Sequence, residues 1–237
     1  MRGTSEPTAI VRGVKAIWVE ETDEPDFGKY RTLGIDRIYV DIREQMNPVE
    51  RVSKIRRQGF TAGVYWGQAW GESAYKGADF AAYISTLIGA MEAKWRANHD
   101  SVQCEFQLDL ETVNGRDHTE DNQWMIDFLR EWRRRRPSKV TSWTLEVFQG
   151  GQWTWMTRAL VNIINTDVNL LVVPQLYQGA LENTVDSAAA SKDLRFMRLP
   201  DGSLGGIRED RIKFFYNAAD YPRVAWDGYL FTNRKLA

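Results

Sequence analysis

Two carboxylates, Asp109 and Glu111, stand two positions apart in the otherwise apolar run FQLDLET at 106–112. Like charges in a partly dry pocket cannot all ionise cheaply, so one acid of such a pair holds its proton near neutral pH while its neighbour stays anionic. A protonated carboxyl beside an anionic one suits the cleavage of a glycosidic bond. The first protonates the leaving oxygen, and the second attacks, activates water or steadies the oxocarbenium-like charge. Residues two apart on one strand face have Cα atoms about 6.5–7 Å apart, a separation that fixes neither the distance between the carboxyls nor the stereochemistry.

Eight short runs rich in β-branched and aromatic residues must position these acids. They are KAIWVE (15–20), DRIYVDI (36–42), FTAGVYW (60–66), CEFQLDLE (104–111), TSWTLEV (141–147), NLLVVPQLY (169–177), RIKFFYN (211–217) and RVAWDGYLF (223–231). Their length and composition predict strands. Helices are predicted between most of them. Asn47-Pro48 reads as a cap with a first-turn proline, closed by Gly59. Phe80, Ile84, Leu87, Ile88, Met91 and Trp95 form a stripe at helical period. A further helix starts near Thr119 with Glu120 and Asp121 in its first turn and ends at Arg133–Arg136 before Pro137. That arginine run reads as the solvated end of a helix rather than a binding patch. A helix around 153–166 and a weaker one around 183–197 complete the set.

Alternation of this kind calls for parallel strands with right-handed crossovers. The predicted fold is α/β, an irregular (β/α)8-type TIM barrel, whose usual length of roughly 250 residues the chain approaches. An open doubly wound sheet would want a glycine-rich turn after its first strand, where VEETDEPDFG is acidic instead. The stretch between the last two runs is too short for a helical crossover, and nothing after Phe231 can form an eighth helix. The last strands are therefore expected to be helix-poor and joined by short loops. No repeat or linker divides residues 1–237, which read as a single domain.

In a barrel, alternate strand residues face the lumen and the helical shell. Phe106, Leu108 and Leu110 suit the shell, which sends Glu105, Gln107, Asp109 and Glu111 inward, Glu111 nearest the C-terminal mouth. The same parity turns Trp18 and Glu20, Tyr39 and Asp41, Thr144 and Glu146, and Val173, Gln175 and Tyr177 inward. Acids thus end the first, second, fourth and fifth strands, at the rim where barrel enzymes place their chemistry. Trp18 beside Glu20, and Trp66 and Trp70 in YWGQAWGES at the third strand's exit, are candidates to stack on sugar rings.

The other properties of the chain mainly exclude. Lys+Arg number 31 and Asp+Glu 32, a net charge of −1, so no polyanion-binding excess exists and nucleic acid is not an expected partner. No run approaches the roughly 20 apolar residues of a membrane span, and no membrane partner is expected. Cys104 is the only cysteine, which rules out an internal disulfide and suits a small core residue. The two histidines, His99 and His118, are far apart, which disfavours a histidine triad or a His-rich zinc site. No P-loop or dinucleotide fingerprint occurs, and neither metal nor cofactor is expected. The polar start MRGTSEPTAIVRG lacks the apolar core of a secretory signal, which predicts synthesis in the cytoplasm.

The Asp-x-Glu of LDLE ending the fourth strand and the Gln-x-Tyr of PQLY on the sixth give the chain a resemblance to the glycoside hydrolase family 25 lysozymes, enzymes common among phage endolysins that cleave peptidoglycan. The acidic end of the first strand and the WDG of Trp226 and Asp227 on the last are looser matches. The resemblance implies that Glu111 is the proton donor and Asp109 its acidic neighbour, with Glu20 and Asp41 as supporting carboxylates. It also implies that Gln175 and Tyr177 line the site. Two departures stand out: Glu20 where the family has aspartate, and KFFYN in the seventh strand where it has Trp-Gln-Tyr. The expected function is cleavage of a cell-wall or surface polysaccharide. The rival is a catalytically silent minor tail component of a phage that grips host glycan alongside other tail proteins. Without a secretory signal, either would reach its target in a virion tail or through lysis.

Overall fold

The computed structural model describes residues 16–19, 24–43, 47–69, 76–99, 105–111, 118–146, 156–175, 199, 201–211, 214–216 and 228–230. Eight strands lie in one sheet: β1 (Ala16–Val19), β2 (Arg37–Asp41), β3 (Thr61–Ala69), β4 (Phe106–Glu111), β5 (Thr141–Glu146), β6 (Leu170–Gln175), β7 (Phe214–Tyr216) and β8 (Gly228–Leu230). Their order is β6-β5-β4-β3-β2-β1-β8-β7, and every hydrogen-bonded pair is parallel. β7 lies beside β6 with no ladder joining them among the described residues. Among the described residues the cylinder closes by packing at that seam. This is the irregular (β/α)8-type barrel that the sequence predicts.

Strand alternation sorts the core into two separate bodies. Ile17 and Val19 of β1, Ile38 and Val40 of β2, and Phe106 and Leu108 of β4 join helix residues in the shell. Ala16, Trp18, Tyr39, Tyr65 and Val173 form a second cluster inside the cylinder. The lumen is tight at its centre. A methyl at Gly63 would lie 2.4 Å from Tyr39 Cε1, so the missing side chain on β3 is what lets the Tyr39 ring occupy that space.

The α-helices among the described residues are α1 (Phe27–Thr32), α2 (Pro48–Arg57), α3 (Gly77–Ala97), α4 (His118–Arg135) and α5 (Arg158–Thr166). α3 and α4 form the main shell contact, filled by stacked and tilted rings. Phe80 lies 5.6 Å from Trp124 and 5.8 Å from Phe128, and Phe128 lies 6.1 Å from Trp132, which is 5.0 Å from Phe106 of β4. Each such pair adds about 0.5–1.5 kcal/mol beyond its buried area. The chain has ten tryptophans, and five of them belong to this shell. Trp66, Trp95, Trp132 and Trp143 are buried in the shell and Trp124 packs against it, whereas Trp18 alone of the described tryptophans joins the lumen cluster.

The arginine run at the end of α4 is consumed internally. Arg133 donates to Asp167 and to three backbone carbonyls. Arg134 and Arg135 clasp Glu131, whose carboxyl their hydrogen bonds hold down at about 2. Arg136 reaches Glu92 and Ser85 on α3.

Several expectations need correction. α1, too short to show a period, had no sequence signal, although Asp26 caps it by accepting from Lys29 N. Asn47 does precede Pro48, but it sits at φ 46° and its side chain makes no cap hydrogen bond. The left-handed backbone, which Asn tolerates, explains its presence there instead. α5 begins at Arg158 rather than near 153, because Thr157 accepts from Leu160 N and sets the start. β7 and β8 are parallel and enclose residues 217–227, which lie outside the described residues together with the expected helix at 183–197 and Cys104.

Candidate functional site

β4 brings the chemistry to the lumen because its polar residues occupy one face of an otherwise apolar strand. From the foot upward that face carries Glu105, Gln107 and Asp109. Glu105 is buried and pairs with Arg37 Nη1 at 3.5 Å. Gln107 is 1% exposed, and its Oε1 accepts a hydrogen bond from Trp18 Nε1 across the lumen. The Trp18 indole in turn stacks on Tyr65, with centroids 5.6 Å apart and planes at 21°. Asp109 is half-buried at the upper end.

Gly67 of β3 faces Asp109 in register. A methyl at Gly67 would lie 3.8 Å from Asp109 Oδ2. The bare backbone therefore leaves space beside the carboxylate that any larger residue would fill. Glu111 is the last residue of β4, in register with Ala69, and Glu146 and Gln175 end β5 and β6 in register with each other. Strand ends thus gather four of the sequence-predicted site positions, 109, 111, 146 and 175, on three adjacent strands. Glu20, Trp70, Tyr177, Trp226 and Asp227 lie outside the described residues.

Asp41 does not stand as an open carboxylate. Its side chain is fully buried, and Arg43, two residues on, takes up both oxygens. The Arg43 backbone N–H donates to Oδ1 at 2.9 Å, Nε donates to Oδ2 at 2.8 Å, and Nη2 donates to Oδ2 as well. A buried carboxylate needs such a partner, and its ionic and turn-forming roles here are both engaged. Asp41→Asn keeps the Oδ1 acceptor and removes the charge. It is expected to cost about 1–3 kcal/mol of stability, seen as a lower urea midpoint with unchanged slope. An unaltered midpoint would show the ion pair to be idle.

Trp66 also departs from its expected place. It is 8% exposed and packs edge-on against Phe80 at 5.5 Å and Tyr83 at 6.0 Å, both on α3. β3 continues through Gly67 to Ala69, so Trp66 is a mid-strand residue on the shell face, and Tyr65 takes the lumen. Tyr39 and Trp18 do face the lumen, where both are buried. Sequence reasoning missed Tyr65, Gly67 and Ser142. Extending the period of Ala62 and Val64 by two residues was the signal for the first.

The arrangement is a rim of strand ends with an acid near the end of β4, an aromatic stack beneath it, and neutral polar groups on the inner wall. Among the described residues no cluster of His, Cys, Asp and Glu forms a metal site.

No protein-family profile matches the sequence, and no curated protein matches it either. Solved structures do. The chain is similar to active domain 2 of the chitinase from Pyrococcus furiosus, at 15% identity and a TM-score of 0.53 over 94% of this chain and 77% of that one. It is also similar to the spore cortex-lytic enzyme SleL of Bacillus megaterium, at 14% identity and a TM-score of 0.49 over 86% and 50%. A third likeness is to the spore cortex lytic enzyme SleM of Clostridium perfringens, at 14% identity and a TM-score of 0.46 over 92% and 60%. At this identity the chitinase likeness establishes a shared barrel fold.

Proposed function

We propose that this chain is a glycoside hydrolase that cleaves a bacterial cell-wall or surface polysaccharide, with Glu111 as general acid and Asp109 as its anionic partner. The observation that carries this reading is the half-buried Asp109 carboxylate beside the bare backbone of Gly67, two residues before Glu111 at the end of β4. An acid pair at the C-terminal end of a barrel strand is where this fold supports catalysis. The barrel fold held in common with a chitinase agrees with a glycan substrate. Asp-x-Glu on β4 and Gln-x-Tyr at β6 support the finer reading of a family 25 lysozyme type acting on peptidoglycan, of phage origin. The whole of 1–237 would then be one catalytic domain.

The test is a turbidity and reducing-end assay on purified walls from a panel of bacteria. Clearing with release of reducing ends is expected for at least one wall, and unchanged activity in chelator would exclude a divalent metal. The closure of Asp41 by Arg43 favours a second reading, because it takes one of the expected supporting acids out of the chemistry. In that reading the barrel is a silent phage tail component that binds host glycan in concert with other tail proteins. Saturable wall binding without any product would establish it.

A further inference from the structure

Two buried polar groups inside the cylinder lack partners among the described residues: Gln107 Nε2 and Ser142 Oγ. Both residues are 1% exposed, and they are in register on β4 and β5. Both face the lumen. Gln107 reaches across it to Trp18. Ser142 lies between Thr141, whose hydroxyl accepts from Trp132 of α4, and Trp143, which belongs to the shell.

The orientation of the Gln107 amide is dictated rather than arbitrary. An indole N–H can only donate, so Oε1 must be the atom that meets Trp18. Nε2 is left to present its two N–H groups to the lumen. A serine hydroxyl can donate beside it. Two adjacent donors, buried and unpaired, suit one oxygen acceptor with two lone pairs, and native proteins rarely leave such groups unmet.

We propose that Gln107 Nε2 and Ser142 Oγ form a donor pair for a neutral oxygen, a carbonyl or hydroxyl on a short arm of a substrate sugar, inserted into the lumen below Asp109. The proposal rests on the reading of the barrel mouth as a glycan site. Asp109 is the next inward residue above Gln107, with Cα atoms about 6.5–7 Å apart, so an arm of two or three atoms spans the gap from a ring seated at the mouth. The acid above also disfavours an anionic occupant. The site therefore selects sugars by a neutral substituent rather than by charge.

The experiment uses the full chain carrying Glu111→Gln, which binds without turnover, and titrates it calorimetrically with the tetrasaccharide of chitin and with cellotetraose. Adding Ser142→Ala is expected to weaken binding of the preferred sugar about 10-fold, the value of one lost hydrogen bond. The melting temperature without sugar should hold or rise, since an unpaired hydroxyl has been removed. Gln107→Glu keeps the acceptor for Trp18 and replaces the donor, and should weaken binding further. Preference for the chitin fragment assigns the acceptor as a carbonyl, and equal binding assigns it as a hydroxyl. Unchanged affinity in Ser142→Ala overturns the donor pair and leaves the glycan reading standing. A melting temperature lowered by several degrees also overturns it, because the hydroxyl would then already be satisfied by the protein or a buried water. If Glu111→Gln binds neither sugar and the wild-type chain digests no wall, the glycan reading falls and takes the donor pair with it.

Discussion

Glu111→Gln is expected to reduce the release of reducing ends from purified wall by about 100- to 10,000-fold, the usual value of a positioned proton donor, with little change in melting temperature. The glutamine keeps the size and hydrogen-bonding capacity of the acid and removes only the proton that a leaving oxygen must receive. Asp109→Asn should also depress turnover, because it removes the negative charge beside which the reacting centre turns cationic. If Glu111→Gln digests wall at the wild-type rate, Glu111 is not the proton donor. If wild type and variant bind wall equally and neither yields product, the barrel is a binding module.

Gly77→Ala should be the most damaging single methyl in the shell. A Cβ at Gly77 would lie 1.9 Å from the carbonyl oxygen of Trp124, 2.9 Å from its carbon and 3.0 Å from Phe128 N. All three atoms are backbone, so the clash cannot be relieved by a rotamer and α3 must move away from α4. The Phe80 ring, 5.6 Å from Trp124 and 5.8 Å from Phe128, would lose part of its packing. The expected cost is about 3 kcal/mol or more, a fall of roughly 6–12 °C in melting temperature for a chain of this size. Helix propensity alone would give the opposite sign. Gly89→Ala in the same helix is the control. Its Cβ would meet only the Arg136 guanidinium at 3.1 Å, the far end of a long side chain that need give by only a few tenths of an ångström while keeping Glu92 and Ser85, and stability should change by no more than about 1 kcal/mol. Equal effects of the two substitutions would mean that propensity, not the α3–α4 approach, governs both.

Why some of this was legible in the sequence and some was not comes down to contrast between the two faces of a strand. In β4, Phe106 and Leu108 alternate with Gln107 and Asp109, so the lumen face announces itself. In β3, Val64, Tyr65 and Trp66 are all apolar or aromatic, and Gly67 resembles the start of a loop. The parity was therefore hidden, and Trp66 was placed at the strand's exit rather than on its shell face. The position of Asp41 at a strand end was readable, but its closure depended on the Arg43 side chain folding back over two residues, which spacing alone does not reveal. Trp66 and Trp70 read as candidates for sugar stacking, and yet Trp66 lies in the shell, where Trp95 of α3 and Trp124 and Trp132 of α4 also pack, because large flat groups fill a shell contact well. α1 and the left-handed Asn47 were invisible for a simpler reason: both are local backbone solutions too short to carry a period.

The strand order has a consequence for how the molecule comes into being. From β1 to β6 each strand is laid against its predecessor, so growth proceeds by nearest-neighbour addition and can begin while the chain is still emerging from the ribosome. β8 must instead return to β1, joining Tyr229 to Ala16, and that long closure is entropically the slowest part of assembly. In pulse-labelled hydrogen exchange during refolding, amides of β3 and β4 should gain protection before those of β1 and β8. Simultaneous protection would point to a concerted collapse. A nascent chain following the staged route would own its acids before it owned a mouth to hold them, and would acquire any activity only at the last step.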